Sequence, residues 1–396
     1  MSAMPTLIAI ISLTIWVYLL LAHGGFWLAR ERDEPGLREG PGRRAPPPPG
    51  QESEWPDVSA VIPARNEAKS IQQAVNSLLR QDYPGRLHVI VVDDASDDGT
   101  AVYARAAASG LDMDTRLDVL PGAPLPKGWS GKLWALRQGV SHACGGARPP
   151  QFLLLTDADI RHAPDNVRRL VVRACADDRV LVSLMVKLRS DTLVERALIP
   201  AFVLFFQMLY PFAWVNRRER RLAAAAGGCM LVRRTALEAI GGIESIRAEI
   251  IDDCALAARL KTQGSIWVGL TERAASIRAY PRFGDIRDMV ARTAYAQLQY
   301  SPLWLAGTLA SLWLTFIAPP LLALFAQGWA SAAGALAWFA MALAYQPMLR
   351  FYRCSAWWGP LLPGIAVIYS AFTLDSAIQH WRGRGGMWKG RAQARP

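Results

Sequence analysis

The apolar residues of this 396-residue chain follow two patterns, long uninterrupted runs near both ends and short runs between polar segments in the middle. Residues 5–29 contain no Asp, Glu, Lys or Arg, and a run of this length is long enough to cross a bilayer. It is too long for a cleaved signal peptide and lacks the basic start of one. We therefore predict a retained transmembrane helix in residues 1–29.

Basic residues follow this first apolar run, and no Lys or Arg precedes it; they are Arg30, Arg32, Arg38, Arg43 and Arg44. Cytoplasmic flanks carry an excess of Lys and Arg, so the pattern places the N-terminus outside and the following chain in the cytoplasm. Residues 30–55 are rich in Pro, Gly and Arg, which indicates an extended linker.

The middle of the chain alternates between short apolar runs and amphipathic stretches, which is typical of strands alternating with helices. The predicted strands are residues 58–62, 89–92, 117–120, 152–156 and 180–186, and the predicted helices include residues 100–109 and 132–143. This alternation predicts an α/β fold with a doubly wound, mostly parallel sheet. We assign residues 56–300 to this domain.

Three further apolar runs, residues 303–325, 329–348 and 357–374, lie in a predicted membrane region of residues 301–380. The first two predict a transmembrane hairpin. The third contains Pro360 and Pro363, and the pattern leaves open whether it spans or re-enters. If it spans, the basic tail of residues 381–396 lies outside, against the positive-inside tendency.

Residues 197–215 are also uncharged and long enough to cross a membrane. A crossing here would separate the acidic residues before it from those after it. Aromatic residues within the segment and arginines beside it are typical of a helix lying at the membrane surface. We predict an interfacial segment.

Composition and charge exclude several classes of protein. The five cysteines are scattered without a Cys-x-x-Cys pair, which indicates neither a disulfide framework nor a zinc site. The net charge of +11 is concentrated beside the apolar runs, a pattern that favours a lipid surface. No nucleic-acid-binding motif accompanies it, so we predict no nucleic-acid partner.

Two carboxylates, Asp157 and Asp159, follow the uncharged run 152–156, which reads as a buried strand. Ligands of open α/β sheets bind at the carboxyl ends of the strands. Mg²⁺ typically takes one or two carboxylates together with substrate phosphates, so this spacing indicates a site for a metal and a diphosphate. The alternative is an Asp-rich turn that caps the next helix.

Three other polar groups follow predicted strands or open a predicted helix: PARNE at 63–67, DDASDDGT at 93–100 and IIDDC at 250–254. Each alone is a weak signal, because Asp and Asn are common in turns and caps. Buried acids are costly unless a cation or hydrogen bonds compensate them. Together the groups indicate a metal, a hydrogen-bonding ligand, or both at one edge of the sheet.

These motifs, in this order, resemble the family-2 glycosyltransferases, which have the GT-A fold, over about residues 56–300. The resemblance implies a nucleotide-sugar donor, expected to be a UDP-sugar, and a divalent cation, Mg²⁺ or Mn²⁺. Asp159 would bind the metal with Asp157 assisting. The residues implied in donor binding are Pro63, Asn66, Glu67, one of Asp93 and Asp94, Asp157 again, and Lys132, which would lie near the diphosphate or the acceptor.

The family also implies a base at Asp253, with Asp252 as the second choice, in a single inverting displacement. The chemistry requires such a group, since an acceptor hydroxyl must lose a proton to a base within hydrogen-bond reach. The alternative is that both acids merely favour a helix N-terminus. Gly227 and Gly228 resemble the small-residue segment that lies beneath the acceptor in the family.

One departure from the family concerns the stretch 288–293, DMVART, where Arg292 is present but Thr293 replaces the Trp of a QxxRW-like motif. This difference argues against a processive polysaccharide synthase. Arg292 is predicted to pair with the diphosphate, because a guanidinium suits bidentate phosphate contact.

The order of apolar segments and the stretch RTAYAQLQYSPLWL (292–305) resemble the bacterial hopanoid-associated glycosyltransferases. That resemblance implies a hopanoid or other polycyclic lipid as acceptor and a multi-pass enzyme of the bacterial inner membrane, with the catalytic domain facing the cytoplasm. We predict a membrane-bound, metal-dependent inverting glycosyltransferase. The alternatives are transfer to a polyprenyl phosphate or a polysaccharide, a non-catalytic scaffold for lipid enzymes, and, least favoured, a nucleotidyltransferase.

Overall fold

The computed structural model describes residues 3–33, 55–109, 114–383, 387–388 and 391–392. The chain divides into two compact units. The helical unit comprises Met1–Arg30, Arg189–Ala213 and Tyr280–Gly386, and the α/β unit comprises Glu31–Leu188, Trp214–Ala279 and Met387–Pro396. Most of the predicted linker and of the basic tail lies outside the described residues.

The α/β unit contains a mixed sheet of eight strands in the order β3-β2-β1-β4-β7-β6-β8-β5. The strands are β1 (Val58–Ala64), β2 (Leu87–Asp93), β3 (Leu117–Pro121), β4 (Phe152–Thr156), β5 (Ile160–His162), β6 (Arg179–Lys187), β7 (Cys229–Arg233) and β8 (Ser265–Ser276). Strands β1 to β4 run parallel, whereas β7 is antiparallel to both β4 and β6. The predicted α/β fold is confirmed, although β5 and β8 were not predicted.

The helices connect and cover these strands or form the helical unit. They are α1 (Ala3–Leu21), α2 (Ile71–Leu79), α3 (Thr100–Ser109), α4 (Gly131–Cys144), α5 (Asn166–Ala176), α6 (Leu193–Leu209), α7 (Phe212–Val215), α8 (Arg234–Ala239), α9 (Asp252–Leu260), α10 (Phe283–Ala291), α11 (Ala294–Gln297), α12 (Pro302–Leu312), α13 (Ala318–Phe325), α14 (Trp329–Phe351) and α15 (Leu362–Trp381).

Helix α4 packs unusually close to the sheet because Gly139 has no side chain. A Cβ at this position would lie 2.4 Å from Val61 Cγ1 and 3.1 Å from Val92 Cγ2, on strands β1 and β2. Real carbon atoms do not approach so closely, so only glycine permits this contact. The first turn of α4 is thereby held at the carboxyl ends of the parallel strands, where ligands of α/β sheets bind.

Among the described residues, four segments are long and apolar enough to cross a membrane: Met4–Leu21, Leu193–Val215, Pro302–Phe325 and Trp329–Phe351. A π-helical turn, Trp313–Ile317, joins α12 to α13. Its carbonyl groups accept hydrogen bonds from α1: Ser12 Oγ donates to Leu314 O and Trp16 Nε1 donates to Thr315 O, both at 2.7 Å. The first apolar helix therefore docks on the others through polar as well as apolar contacts.

Candidate active site at the carboxyl ends of the strands

The loops that follow β1 and β2 are joined by hydrogen bonds. Asn66 has a left-handed backbone conformation with φ of 50°. Its amide donates to Ser96 Oγ at 2.9 Å, and its Oδ1 accepts from the Asp97 amide at 3.1 Å. The Glu67 amide donates to Thr100 Oγ1 at 2.8 Å. The motifs PARNE and DDASDDGT therefore form one continuous surface.

The remaining predicted donor residues of these motifs lie at the ends of the same two strands. Pro63 is buried within β1, opposite Val92 of β2. Asp93 ends β2 and accepts hydrogen bonds from the amide and hydroxyl of Ser96. The Asp94 carboxylate lies 3.8 Å from the guanidinium of Arg65. Both aspartates thus help to set the shape of this loop surface.

Lys132, in the first turn of α4, bridges two of the predicted acids. Its Nζ lies 3.1 Å from Asp157 Oδ1 and 3.1 Å from Asp252 Oδ2. Burial alone would lower the pKa of Lys132, but Asp157, Asp252 and Asp253 raise it above its usual range, so the amine stays charged. Burial also raises the pKa of Asp157, although Lys132 acts in the opposite direction.

Asp253 lies next to this bridge at the start of α9. Its Oδ2 accepts from the Gly227 amide at 2.9 Å and its Oδ1 accepts from the Cys254 amide at 2.7 Å. Burial, aided by Asp252, raises the pKa of Asp253 to about 6, while Lys132 and the two amides oppose the shift. A Cβ on Gly227 would lie 3.4 Å from both Asp253 Oδ2 and Lys132 Nζ. The glycine thus keeps the space beside the carboxylate open.

Arg278, which the sequence analysis did not identify, forms a second bridge between predicted site residues. Its Nε lies 2.7 Å from Asp159 Oδ2, and its Nη2 lies 2.6 Å from Glu67 Oε1. Arg278 follows β8, and β8 was not recognised as a strand. Had it been, an arginine just beyond a strand end would have been a candidate for this cluster of acids.

A buried polar network supports the site from below. Thr156 Oγ1 donates to Gly228 O at 2.7 Å and lies 3.0 Å from His162 Nε2. Asn166 Nδ2 lies 2.9 Å from His162 Nδ1. Burial lowers the pKa of His162 to about 4, so its imidazole is neutral at physiological pH. The network thus holds Thr156, which directly precedes Asp157, and Gly228, which directly follows Gly227.

Arg292, the last predicted donor residue, belongs to the helical unit, where it ends α10. The other predicted site residues all belong to the α/β unit. The pairing of Arg292 with a diphosphate remains a prediction.

The chemistry of Asp157 and Asp159 fits a divalent cation that arrives with a diphosphate. Among the described residues, no group of three or more His, Cys, Asp and Glu side chains forms a complete metal site. Mg²⁺, however, is usually held by one or two carboxylates and completes its shell with phosphate oxygens and water. Each carboxylate uses one oxygen in its contact with Lys132 or Arg278.

The mixed sheet, with acids at its carboxyl edge, has a GT-A-like fold. Among solved structures, the mannosyltransferase PcManGT from Pyrobaculum calidifontis, in complex with GDP-Man and Mn²⁺, is similar over 96% of this chain and 99% of its own. The TM-score is 0.53 and the sequence identity is 20%, so this likeness shows the fold alone.

Residues 59–241 match the model of the family Glycosyl transferase family 2. An N-acetylglucosaminyltransferase of Mesorhizobium japonicum is 31% identical over 205 residues, which are 48% of this chain and 42% of the relative. The probable glycosyltransferase YdaM of Bacillus subtilis is 28% identical over 238 residues, 58% of this chain and 51% of the relative. The chain thus spans about half the length of these relatives.

Proposed function

We propose that this protein is a membrane-bound, metal-dependent inverting glycosyltransferase that moves a sugar from a nucleotide-sugar donor to a hydroxyl group of a membrane lipid. The observation that carries the proposal is the Asp253 carboxylate. Its side chain is half-buried and accepts hydrogen bonds from two backbone amides, and desolvation raises its pKa to about 6. A group of this kind is largely deprotonated at neutral pH and still basic enough to accept a proton.

Asp253 would accept the proton of the acceptor hydroxyl as its oxygen attacks the sugar. Lys132 would hold Asp157 and Asp252 in place and add positive charge near the leaving diphosphate. Asp159 and Asp157 would hold Mg²⁺ or Mn²⁺, which supplies further stabilisation of the charge on the diphosphate. Arg292 is proposed as an additional phosphate contact.

The joined loops after β1 and β2 would bind the base and ribose of the donor. Pro63, Asn66, Glu67 and the pair Asp93 and Asp94 lie on or beside this surface. We propose a UDP-sugar, on the resemblance of the motifs. The structurally similar mannosyltransferase was solved with GDP-Man and Mn²⁺, so GDP-sugars belong in any test.

The membrane part of the proposal is supported by the exposed surface of the helical unit. Large apolar side chains are more than three-fifths exposed at the ends of its long helices, including Met4, Leu21, Leu303, Trp304, Phe325 and Trp329. Water-soluble proteins rarely expose so many large apolar side chains on a few helices, whereas lipid contact makes this exposure favourable. Aromatic residues at such positions suit the membrane interface.

Helix α6 is proposed to lie in or on the membrane without crossing it. Strand β6 precedes α6 and strand β7 follows it, and the two pair in one sheet, with Leu181 opposite Val232. A crossing would place these paired strands on opposite faces of the bilayer. The basic residues after the first apolar run then favour the cytoplasmic side of a bacterial inner membrane for the α/β unit.

The test uses the purified protein in nanodiscs that contain a hopanoid-rich lipid extract, with UDP- and GDP-sugars and Mg²⁺ or Mn²⁺. Mass spectrometry would follow released nucleotide and new glycolipid. We expect a glycolipid whose formation Asp159→Ala and Asp253→Asn reduce by at least about 10²-fold. Asp178→Asn should leave it unchanged, because Asp178 is exposed and pairs with Arg233. Turnover of a polyprenyl phosphate by Asp253→Asn would contradict the hydroxyl acceptor, and absence of any turnover would contradict the enzyme.

A further inference from the structure

We propose that Arg278 is a built-in counter-cation of the donor site, which makes the site accept a divalent cation far better together with a diphosphate than alone. This inference rests on the proposed function, since it concerns the same site. It goes beyond that proposal because it predicts that the cation and the nucleotide each strengthen the binding of the other. It also assigns this effect to a residue that the sequence motifs do not include.

The first argument is the geometry of the bridge. One guanidinium contacts Asp159, the proposed metal ligand, at 2.7 Å and Glu67, a proposed donor contact, at 2.6 Å. Both carboxylates are 14% exposed. The backbone is tied as well, because the Ile277 amide donates to Asp159 O at 2.7 Å. The positive charge is therefore held against the proposed metal ligand itself.

The second argument is charge. Lys132 already spans Asp157 and Asp252, and Arg278 spans Asp159 and Glu67, so a fixed cation contacts each of the two proposed metal ligands. A free divalent cation would add two positive charges beside them, and repulsion between like charges at a few ångströms is strong in a partly buried site. A diphosphate brings compensating negative charge, so its complex with the cation is attracted instead.

The consequence is a thermodynamic coupling between the cation and the nucleotide. Each should raise the affinity of the site for the other, and the coupling should depend on the charge at position 278. Lysine at this position keeps the charge, although it cannot contact both carboxylates in the same forked geometry. Glutamine removes the charge and keeps a polar amide that can donate hydrogen bonds, although its side chain is shorter.

The test measures Mn²⁺ binding to the detergent-solubilised full chain by electron paramagnetic resonance, with and without UDP. We expect Arg278→Gln to bind free Mn²⁺ at least about tenfold more tightly than the wild type. Arg278→Lys should remain near the wild type. The matched control is Arg137→Gln, which removes another arginine–carboxylate pair, with Glu244, away from the site.

Unchanged, weaker or absent binding of free Mn²⁺ by Arg278→Gln would overturn the proposal. It would also be overturned if the tighter site persisted after Asp159→Ala was added, because the ion would then lie elsewhere. The measurement requires no turnover. Failure of the proposed function would show instead as an absence of sugar transfer by the wild type, which leaves the Mn²⁺ comparison intact.

A separate observation, the path of the chain after α14, carries a second inference within the helical unit. We infer that α15 is the second half of a re-entrant segment. Gln346 Nε2 donates to Ala356 O at 3.2 Å, and Trp338 Nε1 donates to Pro360 O at 3.0 Å. The two donors, Trp338 and Gln346, lie about 12 Å apart along α14 at a rise of 1.5 Å per residue. Residues 356–360 thus run back along α14 for about this distance.

Helix α15 then returns to the side where α12 begins. Its residue His380 stacks on Tyr300 at 4.3 Å, and Ala377 packs with Leu305. In a membrane-spanning hairpin formed by the candidate spans Pro302–Phe325 and Trp329–Phe351, α12 begins on the face where α14 ends. Arg353 and Arg382 then share that face, as the positive-inside tendency favours. Backbone that enters the bilayer without crossing is tolerated when protein surrounds it.

Labelling with a membrane-impermeant maleimide tests this topology. Arg353→Cys and Arg382→Cys should react in vesicles of one orientation, and Gln327→Cys in vesicles of the other, with the wild type and its own five cysteines as background. Protease digestion of a tag fused after Pro396 would show, without any added cysteine, on which side of the membrane the chain lies after α15. Reaction of Arg382→Cys from the side of Gln327→Cys would overturn the inference.

Discussion

At the scale of single residues, the environment of Asp253 combines features that stability alone would not favour. Burial raises its pKa to about 6, so the folded protein must hold a carboxylate that resists ionisation. A carboxyl whose pKa is higher in the folded than in the unfolded state stabilises the fold only at low pH. That contribution is lost as the pH rises from the unfolded pKa through about 6.

The first prediction follows from the upward direction of this pKa shift. Asp253→Asn should raise the melting temperature at pH 8, where the wild type holds the costly charge, by a few degrees or about 1–2 kcal/mol. The difference should shrink below about pH 5, where the wild-type carboxyl is protonated. Differential scanning fluorimetry in detergent at both pH values would check it. A variant that melts lower than the wild type at pH 8 would contradict the assignment.

The second prediction concerns Gly227. Gly227→Ala places a methyl group 3.4 Å from Asp253 Oδ2 and Lys132 Nζ, an ordinary contact that the fold can accommodate. The space beside the proposed base would be reduced, so sugar transfer should fall by at least about tenfold because a small misplacement of reacting groups is costly. The melting temperature should change little. A variant with full transfer activity would show that the acceptor does not approach there.

The motifs allowed most of these residues to be predicted, but not their contacts. Asp157, Lys132 and Asp252 were each predicted, whereas their joint salt bridge depends on how α4 and α9 meet the sheet. Arg278 was missed because its stretch matched no motif. Its position is decided by the pairing of β8, which is a long-range property of the sheet.

At the scale of elements, α4 shows how packing places a functional side chain. Its glycine at 139 allows the helix to contact Val61 and Val92, and Lys132 lies two turns earlier on the same helix. The strands β1, β2, β3, β4 and β6 and the helices between them followed directly from the apolar pattern. Strand β8 did not, since its sequence, SIWVGLTERAAS, mixes buried and exposed positions without a clear period.

The third prediction tests this packing. Gly139→Ala would place a Cβ within 2.4 Å of Val61 Cγ1, so helix and sheet must separate. We expect a loss of stability of about 1–3 kcal/mol, as for other overpacked cores, and a parallel loss of activity. Chemical denaturation of the detergent-solubilised protein would measure the first effect. Ser141→Gly, at an exposed position on the same helix, is the control for helix propensity, which should cost less than about 1 kcal/mol. Equal stability of Gly139→Ala and the wild type would contradict the close contact.

The fourth prediction concerns α1 and the π-helical turn of Trp313–Ile317. Trp16→Phe removes the hydrogen bond to Thr315 O, which is buried, and leaves that carbonyl without its donor. The expected cost is at least about 1 kcal/mol, because the smaller ring also leaves unfilled volume, and it should be visible as a lower melting temperature in nanodiscs. Val17→Ala, at an exposed position on the same helix, is the control. A melting temperature equal to that of the wild type would show that the contact contributes nothing.

At the scale of the whole molecule, the sequence divides clearly into apolar ends and an α/β centre, and the structure has the same two components. The apolar pattern left open whether residues 357–374 span a membrane. Our proposals for this segment and for residues 197–215 rest on contacts within the fold: β6 and β7 on either side of α6 share one sheet, and residues 356–360 lie against α14. Neither the pairing of β6 with β7 nor the contacts of residues 356–360 with α14 can be predicted from the length and hydropathy of these segments.

The measurement that tests the central claim most directly is the rate of glycolipid formation between pH 5 and pH 8 for the wild type, Asp253→Asn and Asp178→Asn. The rate of the wild type and of Asp178→Asn should rise through about pH 6 and then level, as Asp253 loses its proton. Asp253→Asn should be slower by about 10²–10⁴-fold. A rate for Asp253→Asn equal to that of the wild type would contradict the assignment of Asp253 as the base.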